Sequence, residues 1–227
     1  MHVSLSEVET TVCKAAWAVG LALGLGEEAG RTARRLVVCG LAPLAAYAEA
    51  LARIDAGTSV GFDPDGAAAG RLTAQAAGKD LSALQAGPAV RDLLLADAGR
   101  SEAFVLQQLD LPLLVIGEVM SLSGTTAFSG GQTVSGQCGR DRLTFIDGSL
   151  DRVRDLRSCD LTLAPSTDLE HLHPRADTVT EDACSALGLE VADQVWRRLT
   201  RLADRRLVAA SETSRLQGAG AGLVDRD

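Results

Sequence analysis

Apolar residues in the first quarter of the chain recur at helical spacing, and after about residue 100 they shorten into strand-length runs. Val8, Val12, Ala15, Ala16 and Val19 repeat along one face of a first helix. Ser4 and Glu7 stand at capping-box spacing ahead of it, each side chain placed to satisfy an orphan backbone N–H. Gly20, Gly24 and Gly26 interrupt the pattern. Glu27 and Glu28 then open a second helix with negative charge at the positive end of its dipole. Ala29, Ala33, Leu36 and Val37 form its inner side, and Gly40 is a natural stop. Pro43 suits the first turn of a third helix running to about Asp55, with Leu44, Tyr47, Ala48 and Leu51 inward.

From Gly57 to Gly70 the periodicity fails, and the glycines with Pro64, Asp63 and Asp65 read as a loop or linker. It divides a helical region, 1–56, from an α+β region, 71–227, unless the two are integrated in one domain. A short helix is predicted after Pro88, from Ala89 to Asp97. Ala103–Leu109 and Leu111–Leu122 are strand-like in their Val, Leu and Ile content. Thr125–Phe128, Gln132–Cys138, Arg142–Ile146 and Leu161–Leu163 continue as short strands, with Asp147-Gly148 as a hairpin turn signal. Strands that follow strands without intervening helices favour antiparallel pairing. A last helix from Leu189 to Asp204 carries Val191, Val195, Leu199 and Leu202 as its inner stripe, and a polar, Gly-rich tail follows. The predicted fold class is α+β: an N-terminal helical bundle, a mainly antiparallel sheet, a C-terminal helix and the tail.

Composition narrows the function classes. The net charge of −8 and aromatic content of 3% argue against a nucleic-acid partner, which needs clustered cations and stacking platforms. The cations are nearly all arginine; Lys14 and Lys79 are the two lysines. The N-terminus has neither a basic nor an apolar signal region. The longest apolar candidate, Leu109 to Leu122, is interrupted by Asp110, Pro112 and Glu118 and falls short of the roughly 20 residues a bilayer requires, so no membrane partner is expected. Five scattered cysteines (Cys13, Cys39, Cys138, Cys159 and Cys184) without C-x-x-C spacing suit a reducing compartment, and the expected location is the cytoplasm.

Candidate chemistry is sparse. Asp168, Glu170, His171 and His173 are the tightest group of metal-ligand types, and alternation would put both histidines on one face of an extended segment. Pro165, Ser166, Thr167 and Pro174 make that stretch a surface loop, where such residues are common, so no metal centre is assigned. Cys138, in a Gly-containing turn, is a candidate nucleophile if a histidine from the 171–173 loop reaches it; a buried thiol is the plainer reading. Neither Val134-Ser135-Gly136 nor Leu122-Ser123-Gly124 has nucleophile-elbow spacing. The glycines of 129–139 and 218–222 lack the lysine and following helix of a phosphate loop, so no cofactor is expected. The tail crowds Ser211, Glu212, Thr213, Ser214 and Arg215 ahead of glycines that permit close backbone approach. Ser211, Glu212, Ser214 and Arg215 are the candidate residues for holding a small anion or docking onto a neighbouring subunit.

Val3-Ser-Leu-Ser-Glu-Val-Glu9, Gly24-Leu-Gly-Glu-Glu-Ala29, Gly40-Leu41 and the closing stretch Ala210–Asp227 resemble a bacterial family of unknown function, number 3726. The resemblance implies one full-length unit in which the tail matters, and it supplies no catalytic residues. The first fifty residues are also similar in helix phasing to the lactate/malate dehydrogenase family that lacks a standard Rossmann fold. That family places a Ser-His-Gly motif after these helices; here Leu41-Ala-Pro-Leu-Ala-Ala-Tyr47 has no histidine, so hydride transfer is not implied. The functional expectation is a non-catalytic accessory or regulatory subunit of a small-molecule metabolic system, with self-association or a protein partner and a small anionic metabolite as ligand. The alternative is a small-molecule enzyme whose site combines the tail and sheet loops, with Glu212 as acid or base and Arg215 as carboxylate clamp.

Overall fold

A computed structural model describes residues 1–96, 102–131, 134–139, 142–146, 149–166, 177–180 and 189–206. In chain order the elements are β1 (His2–Val3), α1 (Leu5–Ala18), α2 (Leu23–Val38), α3 (Leu44–Asp55), β2 (Ser59–Val60), a 3-10 helix (Pro64–Ala69), β3 (Arg71–Leu72), β4 (Asp80–Leu81) and α4 (Ala83–Ala96). Then follow β5 (Phe104–Asp110), α5 (Pro112–Val119), β6 (Thr125–Gly130), β7 (Val134–Gly139), β8 (Arg142–Phe145), α6 (Ser149–Asp155), β9 (Ser158–Ser166), β10 (Asp177–Thr180), β11 (Leu189–Glu190) and α7 (Asp193–Asp204). This is an α+β fold.

The Ser4–Glu7 capping box forms as expected: the Glu7 N–H donates to Ser4 Oγ, and the Ser4 N–H donates to the Glu7 carboxylate at 2.7 Å. Helices α1 and α2 approach closely because α2 offers Gly30 to the α1 backbone. A methyl group on Gly30 would lie 2.6 Å from the Glu9 carbonyl oxygen, whereas one on Gly24 would meet nothing. Gly30→Ala is therefore expected to destabilise the protein by about 2 kcal/mol, overpacking outweighing the gain in helix propensity. Gly24→Ala, on the same helix, should be neutral or stabilising. Urea unfolding of the two variants checks the contrast.

The sheet runs in the order β10-β8-β7-β6-β9-β5-β4-β2, with β3 also paired to β5; β1 and β11 form a separate small pair. From β10 to β5 every pairing is antiparallel, as the run of strands predicted. Beyond β5 the sheet turns parallel, through β3, β4 and β2. The reason is α4, which begins at Ala83, earlier than its predicted start, and spans Pro88 instead of following it. It is long enough to cross over between β4 and β5, which a parallel connection needs. Leu111–Leu122, predicted as a strand, is instead centred on the helix α5. Pro112 sits at the start of that helix, and every residue from Pro112 to Val119 is buried. A helix covered on all sides loses the amphipathic period by which it is recognised in a sequence. Helix α5 lies between α2, α3 and α4 on one side and β6, β7 and β9 on the other. Helices thus cover one sheet face: Phe104, Leu106, Phe128, Leu161 and Leu163 point into the core, while Val105, Gln107, Ala127 and Thr162 alternate outward.

Candidate functional site in a split sheet edge

Two short strands share one edge of β5. β3 pairs with Val105 and Leu106, and β4 pairs with Leu109. Between them Gln107 and Gln108 have no strand partner on that edge among the described residues. On the opposite edge the register with β9 shifts between Leu106 and Leu109. The backbone takes up the shift at Gln108, whose φ of 48° lies in the left-handed region; Leu111, with φ 42°, makes the separate turn from β5 into α5. Each such residue without glycine's freedom costs on the order of 1 kcal/mol or more, and such strain is sustained only where surrounding contacts hold it. Here Asp160 on β9 supplies one of those contacts, its Oδ1 accepting the Gln108 N–H at 2.8 Å.

The β3–β4 connection, Thr73–Lys79, flanks this gap. It is tied down where the Asp63 N–H donates to the Thr73 carbonyl at 2.9 Å and the Gln75 N–H donates to the Gly61 carbonyl at 2.8 Å. Gly78, with φ 73°, makes the turn that brings Lys79 back to the sheet. The result is a cleft of about 330 Å³ lined by Thr73, Ala74, Ala76, Ala77, Gly78, Lys79, Gln107, Gln108 and Asp160. Small residues in the connection leave the space open, and the polar groups supply its recognition chemistry.

The Asp80 side of the cleft is charge-compensated, whereas Lys79 and Asp160 in its lining have no ion-pair partner among the described residues. Asp80 accepts from Arg53 at 3.2 Å, Arg53 also pairs with Glu49 at 2.7 Å, and Arg157 reaches Glu49 at 3.1 Å. Lys79 is half-buried, yet among the described residues its ammonium has neither an ion-pair nor a hydrogen-bond partner. A cation held against a cleft without a counter-ion is placed to meet a negative group from outside.

Buried carboxyls anchor this region and the helices behind it. Asp110, at the end of β5, accepts the Ser59 hydroxyl and the Ala83 N–H, both at 2.6 Å, and so fastens β2 and the start of α4 to β5. Burial pushes its carboxyl up to about 6, against the opposing pull of those two hydrogen bonds and of Arg53. Glu118 on α5 is enclosed between α2 and α4 and is pushed by burial to about 7; the Thr32 hydroxyl and Arg91 pull the other way. Arg91 donates to Glu118 at 3.2 Å and to Glu28 at 2.8 Å. The Thr32 hydroxyl faces the Glu118 carboxyl without reaching good hydrogen-bond geometry. These partners are structural: each carboxyl is spent on holding elements together.

Cys138, the candidate nucleophile, is buried on β7 with its Sγ donating to the Thr126 carbonyl at 3.6 Å, and burial pushes its thiol far above the ordinary range. Cys159 is raised to about 11 by burial and by Asp160, and Cys13 is raised by burial and by Glu27 and Glu9. Burial thus favours the thiol over the thiolate at all three, the opposite of what an activated cysteine needs. Among the described residues no three His, Cys, Asp or Glu side chains group to hold a metal ion. Asp168, Glu170, His171 and His173, Cys184, and the tail residues Ser211, Glu212, Ser214 and Arg215 lie outside the described residues. The sequence pattern did not single out Gln107, Gln108 or Asp160. Their one signal was an adjacent glutamine pair inside an otherwise apolar strand, and Lys79 stood out only as one of two lysines.

Residues 3–82 match the model of a family described as a protein of unknown function (DUF3726). The likeness to that family is confined to this stretch. The stretch holds α1 to α3, β2 to β4 and the Thr73–Lys79 wall of the cleft, and stops before Gln107, Gln108 and Asp160. The DUF3726 match does not extend to the closing stretch Ala210–Asp227. No curated protein and no solved structure matches the chain. No helix among the described residues is long and apolar enough to cross a membrane.

Proposed function

We propose that this protein binds a small carboxylate-bearing metabolite in the split-edge cleft, and that it acts as an accessory or regulatory component of a small-molecule metabolic system. The observation that carries the reading is Lys79, a half-buried residue whose ammonium has no partner among the described residues, in the lining of a cleft with amides, a hydroxyl and Asp160. These groups orient a ligand; none is a thiolate or an activated hydroxyl. The strained backbone at Gln108 gives binding a means of reporting, because contacts to that amide act on a segment joining β3, β4, β5 and β9. The reporting partner is a second copy or another polypeptide.

Lys79→Met keeps the length and apolar stem of the side chain and removes the charge. In a thermal-shift screen of small carboxylic acids, the native protein is expected to be stabilised by at least one compound, and Lys79→Met by none at the same concentration. Stabilisation that survives the substitution contradicts the reading. Conversion of the bound acid to product by the pure protein would replace the accessory role with an enzymatic one.

A further inference from the structure

We infer that the ligand of this cleft is a zwitterion of the amino-acid class, carrying an ammonium as well as a carboxylate; the inference rests on the binding reading above. The cleft holds one positive and one negative side chain, Lys79 and Asp160. Of the Asp160 carboxylate, Oδ1 is engaged by the Gln108 N–H, and Oδ2 has no hydrogen-bond or ion-pair partner among the described residues. A simple anion drawn to Lys79 would bring a second negative charge into a cleft that already contains an unneutralised carboxylate oxygen. At a separation of a few ångströms near a protein surface such a repulsion is on the order of the attraction gained. A ligand with an ammonium in addition to its carboxylate satisfies both side chains and leaves the site neutral. The Gln107 and Gln108 amides and the Thr73 hydroxyl offer both donors and acceptors and therefore suit either end. A cleft of about 330 Å³, walled by Ala74, Ala76, Ala77 and Gly78, accommodates a molecule of amino-acid size.

The test is isothermal titration calorimetry of the full chain with the standard L-amino acids, β-alanine and γ-aminobutyrate, set against glycolate, lactate and glycerate. Three proteins are compared: native, Lys79→Met and Asp160→Asn. Asparagine retains an oxygen to accept the Gln108 N–H, so the backbone conformation at Gln108 is kept, and circular dichroism confirms the fold. At least one amino acid is expected to bind the native protein tenfold or more tightly than the hydroxy acids. Asp160→Asn should weaken that amino acid by roughly tenfold to a hundredfold, the worth of a charge-assisted hydrogen bond, while hydroxy-acid binding holds or improves. Lys79→Met should abolish both. Hydroxy acids that bind as well as amino acids, through Lys79, overturn the zwitterion and leave the carboxylate reading standing. If a broad screen of carboxylic acids finds no Lys79-dependent ligand at all, both readings fall together.

Discussion

Arg91→Ala is expected to destabilise the protein by about 3 kcal/mol at pH 8, and by distinctly less at pH 5. The arginine sits between Glu28 and Glu118, hydrogen-bonded to both, and its side chain is mostly buried. Burial alone would lower its affinity for a proton, but Glu28, Asp92 and the charge of Glu118 hold it firmly protonated. Truncation leaves Glu118 in the packed junction of α2, α4 and α5 without its hydrogen-bonded cation, Arg35 alone still acting on its charge. Removing one member of a buried pair costs more than the pair contributes, because the remaining charge has lost its solvent and its partner together. The pH dependence follows from Glu118. Its folded-state value, raised to about 7, lies above its unfolded value, so its contribution to stability is fully present below about 4.5 and is lost as pH rises through about 7. Below pH 5 the side chain is a neutral acid and does not need Arg91. Glu28 moves oppositely. Burial raises it, but hydrogen bonds from Arg91 and Arg31 outweigh burial and lower it, so it keeps its demand for a cation to lower pH; Arg31 at 2.8 Å partly meets that demand. Urea unfolding at the two pH values, repeated on Arg91→Ala combined with Glu118→Gln, separates the terms. The double variant should lose less than Arg91→Ala alone at pH 8.

Asp110→Ala is expected to cost a further large share of stability, about 3 kcal/mol, for a different reason. The carboxyl satisfies the Ser59 hydroxyl and the Ala83 N–H in a place closed to water. Alanine leaves both donors unsatisfied and a small cavity behind, and each buried orphan costs about 1–3 kcal/mol. Asp110→Asn keeps an oxygen but must turn its NH₂ towards one of two donors, so an intermediate loss is expected. The asparagine variant also removes a titration. Because burial raises Asp110 to about 6, the native protein loses stability from this group as pH rises from about 4 through 6, and Asp110→Asn should flatten that part of the profile. Hydrogen exchange provides the local check: amides of β2 and of the first turn of α4 should lose protection in Asp110→Ala more than those of α1 or α7.

The first three helices were legible because each is half covered. Val8, Val12, Cys13, Ala15 and Ala16 are buried on α1, which packs on α2 and α7, while its other side is more exposed, so the sequence carries the period. Strands β6, β7 and β9 were legible for the same reason, one face in and one out; β8, with Leu143, Thr144 and Phe145 all buried, was legible from its short apolar run between turns. Helix α5 and the parallel strands were not. Total burial erases the period of Pro112–Val119, and β2, β3 and β4 are two residues each, too short to show alternation. The cleft depends on those short strands, which explains why it escaped the sequence. Nothing local in Arg71–Leu72 or Asp80–Leu81 says that they share one edge of β5 and leave Gln107 and Gln108 uncovered between them. Asp110 and Glu118 were visible as acids inside an apolar run. What each one holds, an α4 N-terminus and an arginine about two helical turns along it, is a property of the tertiary arrangement.

The most direct test of ligand binding at Lys79 is equilibrium dialysis of the pure protein against a small-molecule extract of its host, read by native mass spectrometry. The native chain is expected to carry a single small-molecule increment at one-to-one stoichiometry, and Lys79→Met, folded equally well, is expected to carry none. The same increment on both proteins, or on neither, would contradict the account.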